Sequence, residues 1–194
     1  MSTKQLESTK WLCSAIDPKN NNENLTHLWG NVASDGFRMH IDYAMPALPK
    51  ESIPFDYSYI VNPCHDYYNS IELDVQALIN AIKAAKLLVN GNDALLLKIH
   101  FNVNVRVLTI HNQDNSGQYD FEIRMLQVQN NHIEDSFTFG IDAKFLLDAL
   151  LGLTCNDTVR IAFSTKGPEN HPIFLTCGDN SDRQAIVMPM HIKE

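Results

Sequence analysis

No stretch of this chain stays apolar over the ~20 residues needed to cross a bilayer, so no membrane span is expected. The first residues carry no secretory signal either. Cysteine is scarce and dispersed: Cys13, Cys64, Cys155 and Cys177 include no C-x-x-C pair, which excludes a zinc ribbon or dithiol redox motif. Four separate thiols fit a reducing cytoplasm. The eight histidines show no metal-ligand spacing and no glycine-rich phosphate loop is present, so neither metal nor cofactor is expected. Basic residues are in the minority, 15 against 23 acidic ones for a formal charge of -8. That balance argues against indiscriminate wrapping of nucleic acid but allows a local basic face. Pro63-Cys-His-Asp66 sets a thiol, an imidazole and a carboxylate side by side. Sequence neighbours seldom point at one another as nucleophile, base and orienter must, so no enzyme is expected.

What is present is globular: 194 residues, 44% apolar and 20% charged, enough for one large or two small domains. The spacing predicts a helix from Thr3 to about Ile16 with Leu6, Leu12, Cys13 and Ile16 on one side. A polar, Asn-rich loop follows from Asp17 to Asn24. Leu25 to Ser34 reads as a strand, Asp35-Gly36 as a hairpin turn and Phe37 to Met45 as the return strand. Pro46 to Pro54 holds three prolines and no periodicity, which predicts a loop, and Tyr57 to Val61 reads as a short strand. Beyond Ser70 the order becomes regular. Ile71 to Leu73 is a strand, and Asp74 caps a helix with Val75, Leu78, Ile79, Ile82 and Val89 at core spacing, stopped by Asn90-Gly91. Strands follow at Ala94 to Phe101, Val103 to Asn112 and Tyr119 to Val128. The order then repeats, with a strand from Asp135 to Ile141, a helix from Ala143 to Leu151 capped by Asp142, and strands at Val159 to Ser164, Ile173 to Cys177 and Arg183 to Ile192. Pro189, flanked by Met188 and Met190, cannot donate to a ladder and should leave apolar surface unpaired there.

Two segments far apart carry a family resemblance. Ser34-Asp-Gly-Phe-Arg-Met39 is similar to the TDGHRL segment of the bacterial DNA sliding clamp, the beta subunit of DNA polymerase III. Val187-Met-Pro-Met-His-Ile192 resembles that family's C-terminal VMPMRL. Phe55 to Pro63 is similar to the FPDY...LP segment by which clamps leave one domain for the next, and Phe139 to Leu151 resembles the strand end and helix before the family's last strands. The resemblance implies an α+β sliding-clamp (processivity) fold, with three helices packed on antiparallel sheets. It also implies a partial clamp-like domain with linker over 1–69 and a complete one over 70–194. The chain departs from the family in that a second helix and further strands are missing between the hairpin and the exit segment.

The resemblance further implies a groove that binds short linear motifs of polymerases, clamp loaders and repair proteins. By position its residues are Leu28, Ser34, Gly36, Phe37, Arg38 and Met39 on one wall, Pro63 at the floor, and Pro172, Val187, Met188, Pro189 and Met190 on the other. His191 stands where the family has Arg, and Phe37 where it often has His. It implies too that the helices face DNA, with Lys4, Lys10, Lys83, Lys86 and Lys144 meeting phosphates of double-stranded DNA without reading bases. The expected function is a cytoplasmic, non-enzymatic replication processivity factor that assembles as a homo-oligomer around DNA and tethers a polymerase. The alternative is a truncated clamp relative that binds clamp-binding motifs as adaptor or competitor without encircling DNA.

Overall fold

A computed structural model describes residues 3–17, 27–46, 68–88, 96–102, 106–114, 117–129, 136–153, 157–164, 170–177 and 182–190. Pro63, the strand expected at Tyr57 to Val61, most of the proline-rich loop, the Asn90-Gly91 stop and His191 lie outside these residues.

The hinge of the fold is a pair of aspartates that end strands and begin helices. Strand β4 (Tyr68–Asp74) runs into helix α2 (Val75–Leu87), and β9 (Ser136–Asp142) runs into α3 (Ala143–Gly152). Asp74 and Asp142 are both extended, and each takes up orphan amides of the first turn: Ala77 N–H donates to Asp74 at 2.6 Å, and Lys144 and Phe145 N–H to Asp142 at 2.7 and 3.1 Å. Three strands follow the first helix, β5 (Leu96–Asn102), β6 (Val107–Asp114) and β7 (Gly117–Arg124), with a short β8 (Gln127–Gln129); three follow the second, β10 (Thr158–Ser164), β11 (Ile173–Thr176) and β12 (Arg183–Val187). The expected duplication is thus present. Ahead of it stand α1 (Thr3–Ser14), β1 (His27–Trp29), β2 (Val32–Ser34) and β3 (Arg38–Asp42).

Every strand pairing among the described residues is antiparallel. One sheet has the order β1-β2-β3-β12-β11-β10-β4-β8 and the other β7-β6-β5-β9. β12, last in sequence, lies inside the first sheet between β3 and β11 and so ties the N-terminal hairpins to the repeated unit. It stops at Val187, two residues before Pro189, so the proline removes no ladder bond. The core joins one face of this sheet (Ala33, Ile71, Leu73, Ile161, Leu175, Ala185, Val187) to the second sheet (Leu108, Ile110, Phe139, Ile141) and to Leu12, Leu78, Ile82, Leu146 and Leu150 of the helices. Helix α3 packs against both α1 and α2.

Four details differ from the sequence reading. Leu25 to Ser34 is broken by a Gly30-Asn31 turn, with Gly30 at φ 54°, so β1 and β2 pair with each other. Tyr119 to Val128 is broken at Met125-Leu126, where successive amides serve different partners: Met125 N–H donates to Arg106 O and Leu126 N–H to Glu72 O, both at 2.8 Å, and the chain passes from one sheet to the other. On α1 the buried residues are Ser8, Trp11 and Leu12, with Ala15 just past its end, while Leu6 and Cys13 are exposed. Cys177 is disulfide-bonded, so it is not a separate thiol; distance along the chain does not bound distance in space.

Candidate functional site

The Ser34-Asp-Gly-Phe-Arg38 motif builds a turn from its own polar groups. Ser34 Oγ donates to Arg38 O at 2.9 Å and accepts Gly36 N–H at 3.1 Å. Asp35 Oδ1 accepts the N–H groups of Phe37 and Arg38 at 3.0 and 3.1 Å. Gly36 sits at φ 87°, where a side chain is strained. With the backbone satisfied inwardly, Phe37 is thrown out at the tip, 54% exposed.

The C-terminal motif lies directly against this turn. Register pairs Val187 with Arg38, and one residue on, Met188 N–H donates to Phe37 O at 2.8 Å. Pro189 then offers no donor, and Met190 N–H bonds Gly140 O of β9 at 2.9 Å, so residues 188–190 step from one sheet to the other. Pro172, just before β11, is next in register to Met188 because Ile173 pairs with Val187. Met188, Pro189 and Pro172 are half-buried, and Met190 and Gly36 are exposed.

Strand alternation divides the remaining residues. Directly opposed residues share a face, and Arg38 reaches the helices, so its partner Val187 faces them too. Leu28, opposite Ala33 on edge strand β1, belongs to that side and is 49% exposed. Met39 and Ser34 point the other way, in a buried row that continues through Ile186 and Phe174. Ile186 and Phe174 were not singled out from the sequence, although period-two alternation from Met188 back along β12 marks Ile186.

Arg38 is a linchpin rather than an exposed contact. Its guanidinium is buried over the Phe145 ring at 4.2 Å. Nε donates to Asp35 Oδ2 at 3.3 Å and to Ala15 O at 3.2 Å, and Nη1 to Asp148 Oδ2 on α3 at 2.7 Å. At the other end of β3, Arg183 Nε donates to Asp42 at 2.9 Å and Nη2 to Ser8 Oγ at 2.8 Å, while Nη1 meets Gly152 O. Between the arginines, His40 stacks on Trp11 (centroids 4.7 Å, planes 9° apart), and its Nδ1–H donates to Trp11 O at 2.9 Å. Its Nε2 is buried without a partner among the described residues. Burial, the largest cause, and the nearby Arg38 charge lower the His40 pKa to about 4, against the opposing pull of the Trp11 carbonyl and Asp148.

Lys10, Lys83, Lys86 and Lys144 are all exposed on the helices, and nothing is described for the Lys4 side chain. Lys144 Nζ bonds Asp148 at 3.2 Å, which offsets part of its charge. Among the described residues no group of three or more His, Cys, Asp or Glu could hold a metal ion, and no helix is long and apolar enough to cross a membrane.

A family model described as DNA polymerase III beta subunit, C-terminal domain, matches residues 51–191. The chain belongs to the DNA polymerase III beta subunit family. Its fold is that of solved bacterial clamps. It is similar to the DNA polymerase sliding clamp of Bacillus subtilis, with 12% identity and a TM-score of 0.75 over 98% of this chain and 63% of that one. For the DNA polymerase III beta chain of Streptococcus pneumoniae the values are 17% and 0.73, over 99% and 64%. For the beta subunit of Pseudomonas aeruginosa they are 16% and 0.73, over 98% and 65%. This chain therefore spans under two-thirds of the length of these clamps. Comparison with curated proteins gives no match.

Proposed function

We propose that this family member is a replication clamp that holds linear peptide motifs of a polymerase, a clamp loader or another partner at the Phe37–Met188 junction. The observation that carries the reading is the Met188 N–H to Phe37 O bond, which joins two motifs about 150 residues apart in sequence into one surface. Exposed Phe37 and Met190 flank half-buried Met188, Pro189 and Pro172, a set of aromatic, thioether and proline side chains suited to apolar anchoring of an extended peptide. Leu28, Ser34, Arg38, Met39, Pro63 and Val187 belong to the proposed groove as supporting residues. The helix lysines supply sequence-independent attraction to duplex DNA, which a ring needs only weakly, because enclosure rather than affinity retains the DNA.

On this reading residues 1–69 are a shortened clamp domain and 70–194 a complete one, several copies assemble, and the chain performs no chemistry of its own. It works in the cytoplasm.

Titration of a fluorescent clamp-motif peptide tests the groove. Phe37→Ala and Met188→Ser should each weaken binding by about tenfold, as for truncation of a central apolar anchor, whereas Leu87→Ser on the distant, exposed end of α2 should not. Equal affinity in all four proteins would remove the groove from the account.

A further inference from the structure

The turn that carries Phe37 is not braced by its own strand alone. One carboxylate on α3 reaches it through Arg38. Asp148 Oδ2 accepts Arg38 Nη1 at 2.7 Å and Lys144 Nζ at 3.2 Å, so a single oxygen is shared between a buried and an exposed cation. The Arg38 side chain is fully buried, whereas that of Asp148 is 27% exposed. Among the described residues Arg38 Nη2 has no partner, so Asp148 is the described group that meets the terminal nitrogens of this guanidinium. The other end of the same guanidinium holds Asp35 Oδ2, and Asp35 Oδ1 holds the amides of Phe37 and Arg38. A continuous chain of charge-assisted hydrogen bonds therefore runs from the exposed face of α3 to the tip of the turn.

We propose that Asp148 is a positioning residue for the peptide groove: it fixes the Arg38 guanidinium, which fixes Asp35, which sets the Phe37 turn against Met188. The inference rests on the groove reading for its consequence but not for its geometry. Neutralising Asp148 removes the carboxylate that meets Nη1 of this buried arginine, and Arg38 then competes with the turn amides for Asp35. Lys144, the second cation on the same oxygen, is exposed on α3 and has no part in holding the turn.

Amide hydrogen exchange on the full chain tests this, because the Phe37 and Arg38 amides report the turn directly. In Asp148→Asn these two amides should exchange about tenfold faster, the order expected for loss of one charged hydrogen bond, while amides of the β10–β4 ladder keep their rates. Lys144→Ala should leave all of them unchanged. Asp148→Glu keeps the charge on a longer arm and should restore most of the protection. It also serves as the reading if the Asn variant fails to fold, since slower exchange in Glu than in Asp148→Ala carries the same result. Unchanged Phe37 and Arg38 exchange in Asp148→Asn, or equal acceleration across the whole β10–β4 ladder, overturns the proposal. In parallel, peptide affinity should fall about tenfold in Asp148→Asn and not in Leu87→Ser. Faster turn exchange in a protein whose wild type binds no peptide would uphold Asp148 as a brace and discard the groove.

Discussion

At the scale of single residues, Trp11, His40 and Gly152 carry consequences that neither motif marks. Trp11 lies so close to the end of α3 that a Cβ at Gly152 would stand 1.4 Å from its Cδ1. Gly152 is therefore an approach glycine as well as the end of a helix. Gly152→Ala should destabilise the fold by about 2 kcal/mol, as overpacking of a filled core does, and a thermal melt of Trp11→Leu/Gly152→Ala should recover part of that loss by making room. His40 on the other face of Trp11 is held neutral, with its pKa lowered to about 4 from the ordinary 6.5. Between those values the unfolded chain binds a proton that the folded chain refuses, so the contribution is complete above about pH 6.5 and is lost as pH falls toward 4. The shift corresponds to about 3 kcal/mol at most. Urea unfolding from pH 7 to 4 should therefore show a slope one proton steeper in the wild type than in His40→Gln; identical slopes would mean that His40 is not buried neutral.

At the scale of elements, the duplicated strand, helix and three strands could be read from the sequence because the signals are local. Asp74 and Asp142 stand before apolar helical spacing, and β-branched runs alternate after them. Asp74→Ala and Asp142→Ala should each lower stability by about 1 kcal/mol, the usual cost of an N-cap, and denaturant titration of the two variants checks it. The Asp35-Gly36 turn was legible for the same reason. What escaped the sequence was set by partners. Gly30-Asn31 turns the chain because Trp29 and Val32 can pair, and the β7–β8 break at Met125-Leu126 exists because the successive amides meet Arg106, just before β6 of one sheet, and Glu72 in β4 of the other. α1 buries Trp11 and Leu12 rather than Leu6 and Cys13 because it packs on β2, β3 and α3, which a helical wheel does not know. In the candidate site both motifs were visible, and the structure brings them together at Phe37 and Met188. Their inner division was not: Arg38 and Val187 face the helices while Met39 and Ile186 face away, a fact of register that residue types alone do not reveal.

At the scale of the molecule, the first sheet makes the N-terminal segment and the repeated unit one continuous surface, since β12 is hydrogen-bonded to β3 on one side and β11 on the other. The buried Arg38 and Arg183 clusters fasten the helices to that sheet at both ends of β3. Breaking either pair leaves an uncompensated buried charge and should cost about 3–5 kcal/mol, so Asp42→Ala is expected to melt the junction as a unit rather than loosen one strand. On the proposed reading, a chain that spans under two-thirds of the length of solved clamps encircles DNA through self-association. Light scattering across a concentration series therefore tests the clamp reading most directly. The account predicts one discrete oligomer of several chains, stable on dilution, whose salt-sensitive retention on circular duplex DNA can then be followed; a monomer at every concentration would contradict it.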